Sequence, residues 1–143
     1  MAAPRPARAD FATFRQIQTR WMDNDAYGHM NNVVHYSLFD TAVNGWLIEQ
    51  GLLDLARSTS YGLVVETGCR YYAEMQFPDM IHAGLRIAKI GNSSVRFEIG
   101  LFRNDEEAAA AEGFFVHVYV ERATHRPVAI EGDRRAAFEA LMM

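Results

Sequence analysis

The stretch from Val33 to Gln50 constrains this chain more than any other. Val34, Leu38, Phe39, Ala42, Val43, Trp46 and Leu47 recur with the 3.6-residue period of an α-helix, and Ser37, Asp40, Thr41 and Asn44 leave only a narrow polar stripe. A helix so apolar around its circumference is mostly buried, so something must be built to cover it. Gly51 directly after it supplies a stop, because glycine takes the left-handed backbone of a helix C-terminus without steric cost.

The cover is written in the segments around the helix. Phe11 to Trp21 carries aromatic and β-branched residues, with Ile17, Thr19 and Trp21 on one face of a two-residue period, and predicts a first strand. After the helix, Val65, Thr67, Cys69, Tyr71 and Ala73 alternate with Glu66, Gly68, Arg70, Tyr72 and Glu74. Ile81 to Ile90 predicts another strand. Val95, Phe97, Ile99 and Leu101 then alternate with Ser94, Arg96, Glu98 and Gly100, and Phe114, Val116, Val118 and Val120 with Phe115, His117, Tyr119 and Glu121. Turn chemistry at Gly91-Asn92 and Asn104-Asp105 separates them. Pro127 to Ile130 predicts a short last strand, and Asp133 a capped terminal helix through Leu141. One strand, one helix and then a run of strands is the order of an α+β fold, an antiparallel sheet covering one helix.

With 143 residues, 50% of them hydrophobic, the chain is sized for one domain, here residues 11–143 after a Pro- and Arg-rich leader at 1–10 that is expected to fray. A net charge of −4 leaves no electrostatic footprint for nucleic acid, and the basic residues are scattered apart from Arg5/Arg8 and Arg134/Arg135. Cys69 is the single cysteine, which excludes an intramolecular disulfide, and it is expected to be a core thiol. The first ten residues lack a secretory core and no apolar run is long enough to span a bilayer, so a cytoplasmic protein without membrane insertion is expected.

Between the first strand and the helix lies Asp23-Asn24-Asp25-Ala26-Tyr27-Gly28-His29-Met30-Asn31-Asn32. Two carboxylates, a glycine able to take positive φ and two asparagines suited to capping fall together, placing a carboxylate near a helix's unpaired N–H groups. An EF-hand reading fails, because Tyr27 holds the fifth place and Val34 the twelfth, where a bidentate glutamate is needed. Asp23, Asp25, His29 and His35 match no metal-ligand spacing. An ordinary polar strand-to-helix connection would explain the Asp, Asn and Gly residues, though two carboxylates, a histidine and consecutive asparagines exceed what one cap needs.

The run resembles the D-x-D-x-x-G-H-x-N-N signature of hotdog-fold acyl-CoA thioesterases of the 4-hydroxybenzoyl-CoA thioesterase-like group. Val65 to Tyr72, Phe77-Pro78-Asp79 and Ile90 to Val95 also resemble family segments, so the likeness covers about Phe14 to Pro127. It implies a curved antiparallel sheet around a long central helix, and a homodimer, in some members a homotetramer formed as a dimer of dimers, with sites at the dimer interface. The implied reaction is hydrolysis of an acyl-CoA to the free acid and coenzyme A, which enters as substrate, with no cofactor.

Carried over by position, the resemblance makes Asp25 the catalytic carboxylate and the Asn32 N–H the group that binds the thioester carbonyl, with a contribution from Asn31 and His29 in the motif. It further implies substrate contacts from Glu66, Arg70, Ser93, Ser94, Arg96 and His35, the two serines and Arg96 near the nucleotide part of coenzyme A. His35 departs from the family's usual tyrosine. General-base and nucleophilic roles for Asp25 both stay open, as do a hotdog hydratase or dehydratase and a non-catalytic acyl-CoA-binding module.

Overall fold

The computed structural model describes residues 4–143. Its elements are β1 (Thr13–Gln18), α1 (Val34–Glu49), β2 (Ser60–Tyr71), β3 (Met80–Ile90), β4 (Ser94–Arg103), β5 (Ala111–Glu121) and α2 (Gly132–Ala140). All strand pairs are antiparallel, in the order β1-β3-β4-β5-β2. The expected α+β class and the order of elements are therefore present, in a curved sheet consistent with the hotdog fold. Bulges between Val64 and Glu66 and between Ile87 and Lys89 interrupt the ladders, where extra residues bend a strand.

Helix α1 has 16 residues, about 24 Å, shorter than the reading from Val33 to Gln50. It packs against β3, β4 and β5, the middle of the sheet. Its buried residues are His35, Leu38, Phe39, Ala42, Val43, Trp46 and Leu47, one helical stripe. The stripe starts at His35 rather than Val34. The opposite side is open to solvent at Ser37, Asp40, Thr41 and Ile48, so the expectation of near-complete burial is corrected: the sheet covers one side, and among the described residues nothing covers the other. Gly51 ends the helix with φ +71°, as read.

Three strand readings change. In β5 the buried face is Phe115, His117 and Tyr119, while Phe114, Val116 and Val118 are only half-buried on the other side. Both sets are apolar enough to be buried, so alternation could not choose between them. β2 starts at Ser60 and is exposed from Leu63 through Thr67, because it lies at the edge of the sheet. Cys69 is half-buried beside the core, and burial pushes its thiol up to about 11. Pro127 makes one isolated bridge to Val120 in place of a last strand.

The chain ends are more firmly placed than expected. Arg5 Nε donates to Ala109 O at 2.8 Å, and Arg8 donates to the carbonyls of Glu106 and Asn104, so the leader is tied down from Arg5. Residues 1–3 of the leader lie outside the described residues. α2 begins after Glu131, with Asp133 inside the first turn instead of at the cap. Its Phe138 packs on Trp46, Phe97 and Tyr119, joining both helices in one core.

Candidate functional site

After β1 the chain turns through Trp21–Asp23 into the polar run. Asp23 is buried, and its carboxylate accepts the Arg20 backbone N–H at 2.7 Å and two guanidinium N–H groups at 2.8 and 3.0 Å. Its carbonyl accepts the Asn31 N–H at 2.9 Å. With its acceptors spent on the loop, Asp23 is structural.

Asp25 closes the next turn. Its N–H donates to His29 O at 2.9 Å and its carbonyl accepts the Gly28 N–H at 3.1 Å. Gly28 sits at φ +82°, the left-handed conformation this turn demands and a side chain resists. Asp25 Oδ1 accepts the Tyr27 N–H at 2.9 Å, and Oδ2 has no protein partner among the described residues.

The helix start divides its free groups between two asparagines. Asn31 Oδ1 accepts the Val33 N–H at 3.0 Å and its carbonyl accepts the Val34 N–H, so Asn31 holds the turn that leads into α1, whose N-cap position is Val33. The Asn32 N–H has no acceptor among the described residues. The Asn32 carbonyl accepts the Tyr71 hydroxyl at 2.8 Å, tying the turn to the end of β2.

A cavity of about 220 Å³ opens here, lined by His29, Met30, Asn32, His35 and the segment from Tyr71 to Met75. His35 forms part of its wall with 4% exposure; burial lowers its pKa, against smaller upward effects from the nearby backbone of Asn32 and Asn31. Its Nδ1 is buried without a partner, and its ring meets Tyr71 edge-on at 4.7 Å. His29 Nε2 lies 2.9 Å from Glu74 Oε2.

The structure thus gathers His29, Asn32 and His35 on one cavity, while Asp25 stands in the adjoining turn and off the cavity wall. The other sequence candidates lie elsewhere. Glu66 is exposed at the β2 edge. Arg70 and Arg96 share a separate cavity of about 450 Å³ with Glu98 and Glu112. There Arg96 is paired with Glu98 at 3.0 Å and lies 3.9 Å above the Phe114 ring. Ser93 stands in the β3–β4 turn and Ser94 starts β4, both outside the two cavities. Tyr71 was missed as a site residue; its only sequence signal was an aromatic closing a strand. Among the described residues no three His, Cys, Asp or Glu side chains are grouped to hold a metal ion.

A family model described as the thioesterase-like superfamily matches residues 19–138, from the start of the polar run into α2. The chain belongs to this superfamily. Its reaction class is thioester hydrolysis. No curated protein matches it. Among solved structures it is similar to the PA5185 protein of Pseudomonas aeruginosa strain PAO1, with 52% identity, 97% of each chain covered and a TM-score of 0.94. It is also similar to the PA2801 protein of Pseudomonas aeruginosa, with 26% identity over 87% of this chain and 95% of that one, at a TM-score of 0.81. A more distant likeness, 15% identity over 90% of this chain and 87% of the other with a TM-score of 0.77, is to the DHNA-CoA thioesterase of Staphylococcus aureus and speaks for the fold. Among the described residues of this thioesterase-superfamily member, no helix is long and apolar enough to cross a membrane.

Proposed function

We propose that the protein hydrolyses an acyl-CoA thioester to a free carboxylic acid and coenzyme A. Asp25 acts as the general base or nucleophile, and the Asn32 N–H as the oxyanion donor. The observation that carries this reading is the uncommitted Asn32 N–H beside the cavity, seven residues from a carboxylate whose Oδ2 is equally uncommitted. An aspartate is ionised near neutrality at its ordinary pKa of about 3.9. Water, deprotonated by Asp25, adds to the thioester carbon, or the carboxylate adds directly and water cleaves the anhydride that results.

In both routes the carbonyl oxygen gains negative charge, which the Asn32 N–H and the positive end of the α1 dipole stabilise. Removing such a donor costs about 3 to 4 kcal/mol of transition-state stabilisation. The carbon–sulfur bond then breaks and the sulfur departs as thiolate, so no acid partner is required. Asn31 holds the turn before α1 and leaves Asn32 free, and His35 shapes the acyl end of the cavity.

We further propose a homodimer built on the β2 edge. Leu63, Val64 and Val65 are 38%, 48% and 60% exposed there, an apolar open edge that pairing with a second copy would cover. Glu66, on that edge, would then reach the partner subunit. A 3-hydroxyacyl-thioester hydratase or dehydratase is the second reading, favoured by one observation, the His29–Glu74 pair at the cavity. A thiol-release assay over an acyl-CoA panel, run beside an enoyl-CoA hydration assay, tests both. Thiol release by the wild type that collapses in Asp25→Asn supports the hydrolase, and hydration without thiol release overturns it.

A further inference from the structure

Most polar side chains around the cavity at the start of α1 are already engaged. His29 is paired with Glu74 at 2.9 Å, the Tyr71 hydroxyl donates to the Asn32 carbonyl at 2.8 Å, and the Tyr72 hydroxyl donates to Glu112. Met30, Ala73 and Met75 add apolar surface. Two groups on the wall stand uncommitted: the Asn32 N–H and, three residues further on, the His35 imidazole. In His35 the Nδ1 is sealed without a partner, whereas Nε2 is neither sealed nor hydrogen-bonded among the described residues. His117 differs, with both ring nitrogens sealed.

The state of the His35 ring follows from its surroundings. Burial lowers its pKa, so near neutrality one nitrogen bears a proton and the other a lone pair. The backbone of Asn32 and Asn31 beside the ring attracts a proton, and Nδ1 is the ring nitrogen nearer the backbone. The proton therefore belongs on Nδ1 and the lone pair on Nε2. A buried acceptor of this kind gains most from a ligand that brings a donor.

Distance then limits where that donor sits. Residues three apart on a helical turn stand roughly 5 to 6 Å from one another at their Cβ atoms. An acyl group whose carbonyl oxygen meets the Asn32 N–H therefore meets His35 with its first carbons, not with a distant tail.

We propose that His35 Nε2 accepts a hydrogen bond from a hydroxyl on the second or third carbon of the acyl group, so that the substrates are short 2- or 3-hydroxyacyl thioesters. The inference rests on the thioesterase reading above, with the Asn32 N–H as the carbonyl's donor. Because the substrate group must donate, a ketone at the same carbon is refused: it would set an oxygen lone pair against that of Nε2. The tyrosine usual at this position in the family could donate as well as accept and would not draw this distinction.

Thiol release by the wild type from butyryl-, 2-hydroxybutyryl-, 3-hydroxybutyryl-, 3-oxobutyryl- and 6-hydroxyhexanoyl-CoA tests the proposal. The better hydroxybutyryl thioester is expected to exceed butyryl-CoA in kcat/KM by about 10- to 100-fold, with no such advantage for the 3-oxo or the distal hydroxyl compound. In His35→Phe the ratio of hydroxybutyryl to butyryl turnover should fall to near one. His35→Tyr should keep the hydroxyl preference and extend it to the 3-oxo thioester, and this variant decides the matter if the phenylalanine variant does not fold. A hydroxyl preference that survives His35→Phe, or an equal wild-type gain from the ketone, overturns the proposal. Thiol release without any hydroxyl preference overturns it alone, whereas release from no thioester in the panel overturns the hydrolase reading with it.

Discussion

The two ends of α1 are built on opposite principles. At the N-terminal end a cavity of about 220 Å³ is walled by Met30, His35, Tyr71 and Met75, with uncommitted polar groups at Asn32 and in the adjoining Asp25 turn. At the C-terminal end an open groove of about 880 Å³, four times larger, is lined with charge at Arg57, Arg122 and Arg134. The first is small and mostly apolar and the second large and lined with arginines, so the two ends suit groups of different polarity. Each end also has a buried histidine with an unpaired ring nitrogen: His35 Nδ1 in the cavity wall, and both ring nitrogens of His117 behind Ser60, Tyr61 and Gly62. The N-terminal end has its histidine on the cavity wall, while the groove end keeps its own sealed among Phe97 and Phe115.

The hardest test of this contrast is Asp25→Asn, expected to lower kcat by about 10² to 10⁴ while the circular dichroism spectrum and Tm stay near those of the wild type. A variant that turns over normally would remove chemistry from the N-terminal end. Next in size is an effect confined to the other end. His117 is neutral when folded, with its pKa lowered to about 4 by burial, against 6.5 when exposed. As pH falls below 6.5 the unfolded chain takes a proton that the folded chain refuses until about 4. Stability should therefore drop across that window by about 3 kcal/mol, and His117→Phe should flatten the pH dependence in denaturant titrations.

Val65→Lys on the β2 edge should weaken self-association by roughly 2 kcal/mol, about 30-fold in the dimer dissociation constant measured by sedimentation. A monomeric wild type would overturn the pairing on this edge. The smallest expected effect is that of Tyr71→Phe. Loss of its hydrogen bond to the Asn32 carbonyl should cost about 1 kcal/mol, seen as a roughly fivefold fall in kcat with KM little changed. A fall in Tm alone would make Tyr71 merely a packing residue.

Much of this molecule was legible in local chemistry. The period of Leu38, Phe39, Ala42, Val43, Trp46 and Leu47 gave α1, and the alternation of Val95, Phe97, Ile99 and Leu101 gave β4 with its core face, since Ser94, Arg96 and Glu98 make the other face polar up to Gly100 and the buried Phe102. Gly28 and Gly51 marked the two positive-φ turns that bound the site loop and the helix. In the candidate site, Asp25, Asn31 and Asn32 stood out because a carboxylate and a helix start fall within one short loop, where sequence neighbours are also spatial neighbours.

What only the tertiary structure decided lies wherever that equivalence ends. β5 carries apolar residues on both faces, so its buried side was fixed by which one met α1 and α2. β2 alternates like a half-buried strand and stands exposed because, among the described residues, no further strand pairs beyond it. Arg57 and Arg122 looked scattered, Arg134 was grouped only with Arg135, and Arg96 looked better suited to phosphate, until the fold joined Arg57, Arg122 and Arg134 in one groove and gave Arg96 to Glu98. Backbone period and turn geometry are local and can be read along a chain. Which charges stay free, and which edges stay open, depends on partners supplied by residues far away in sequence.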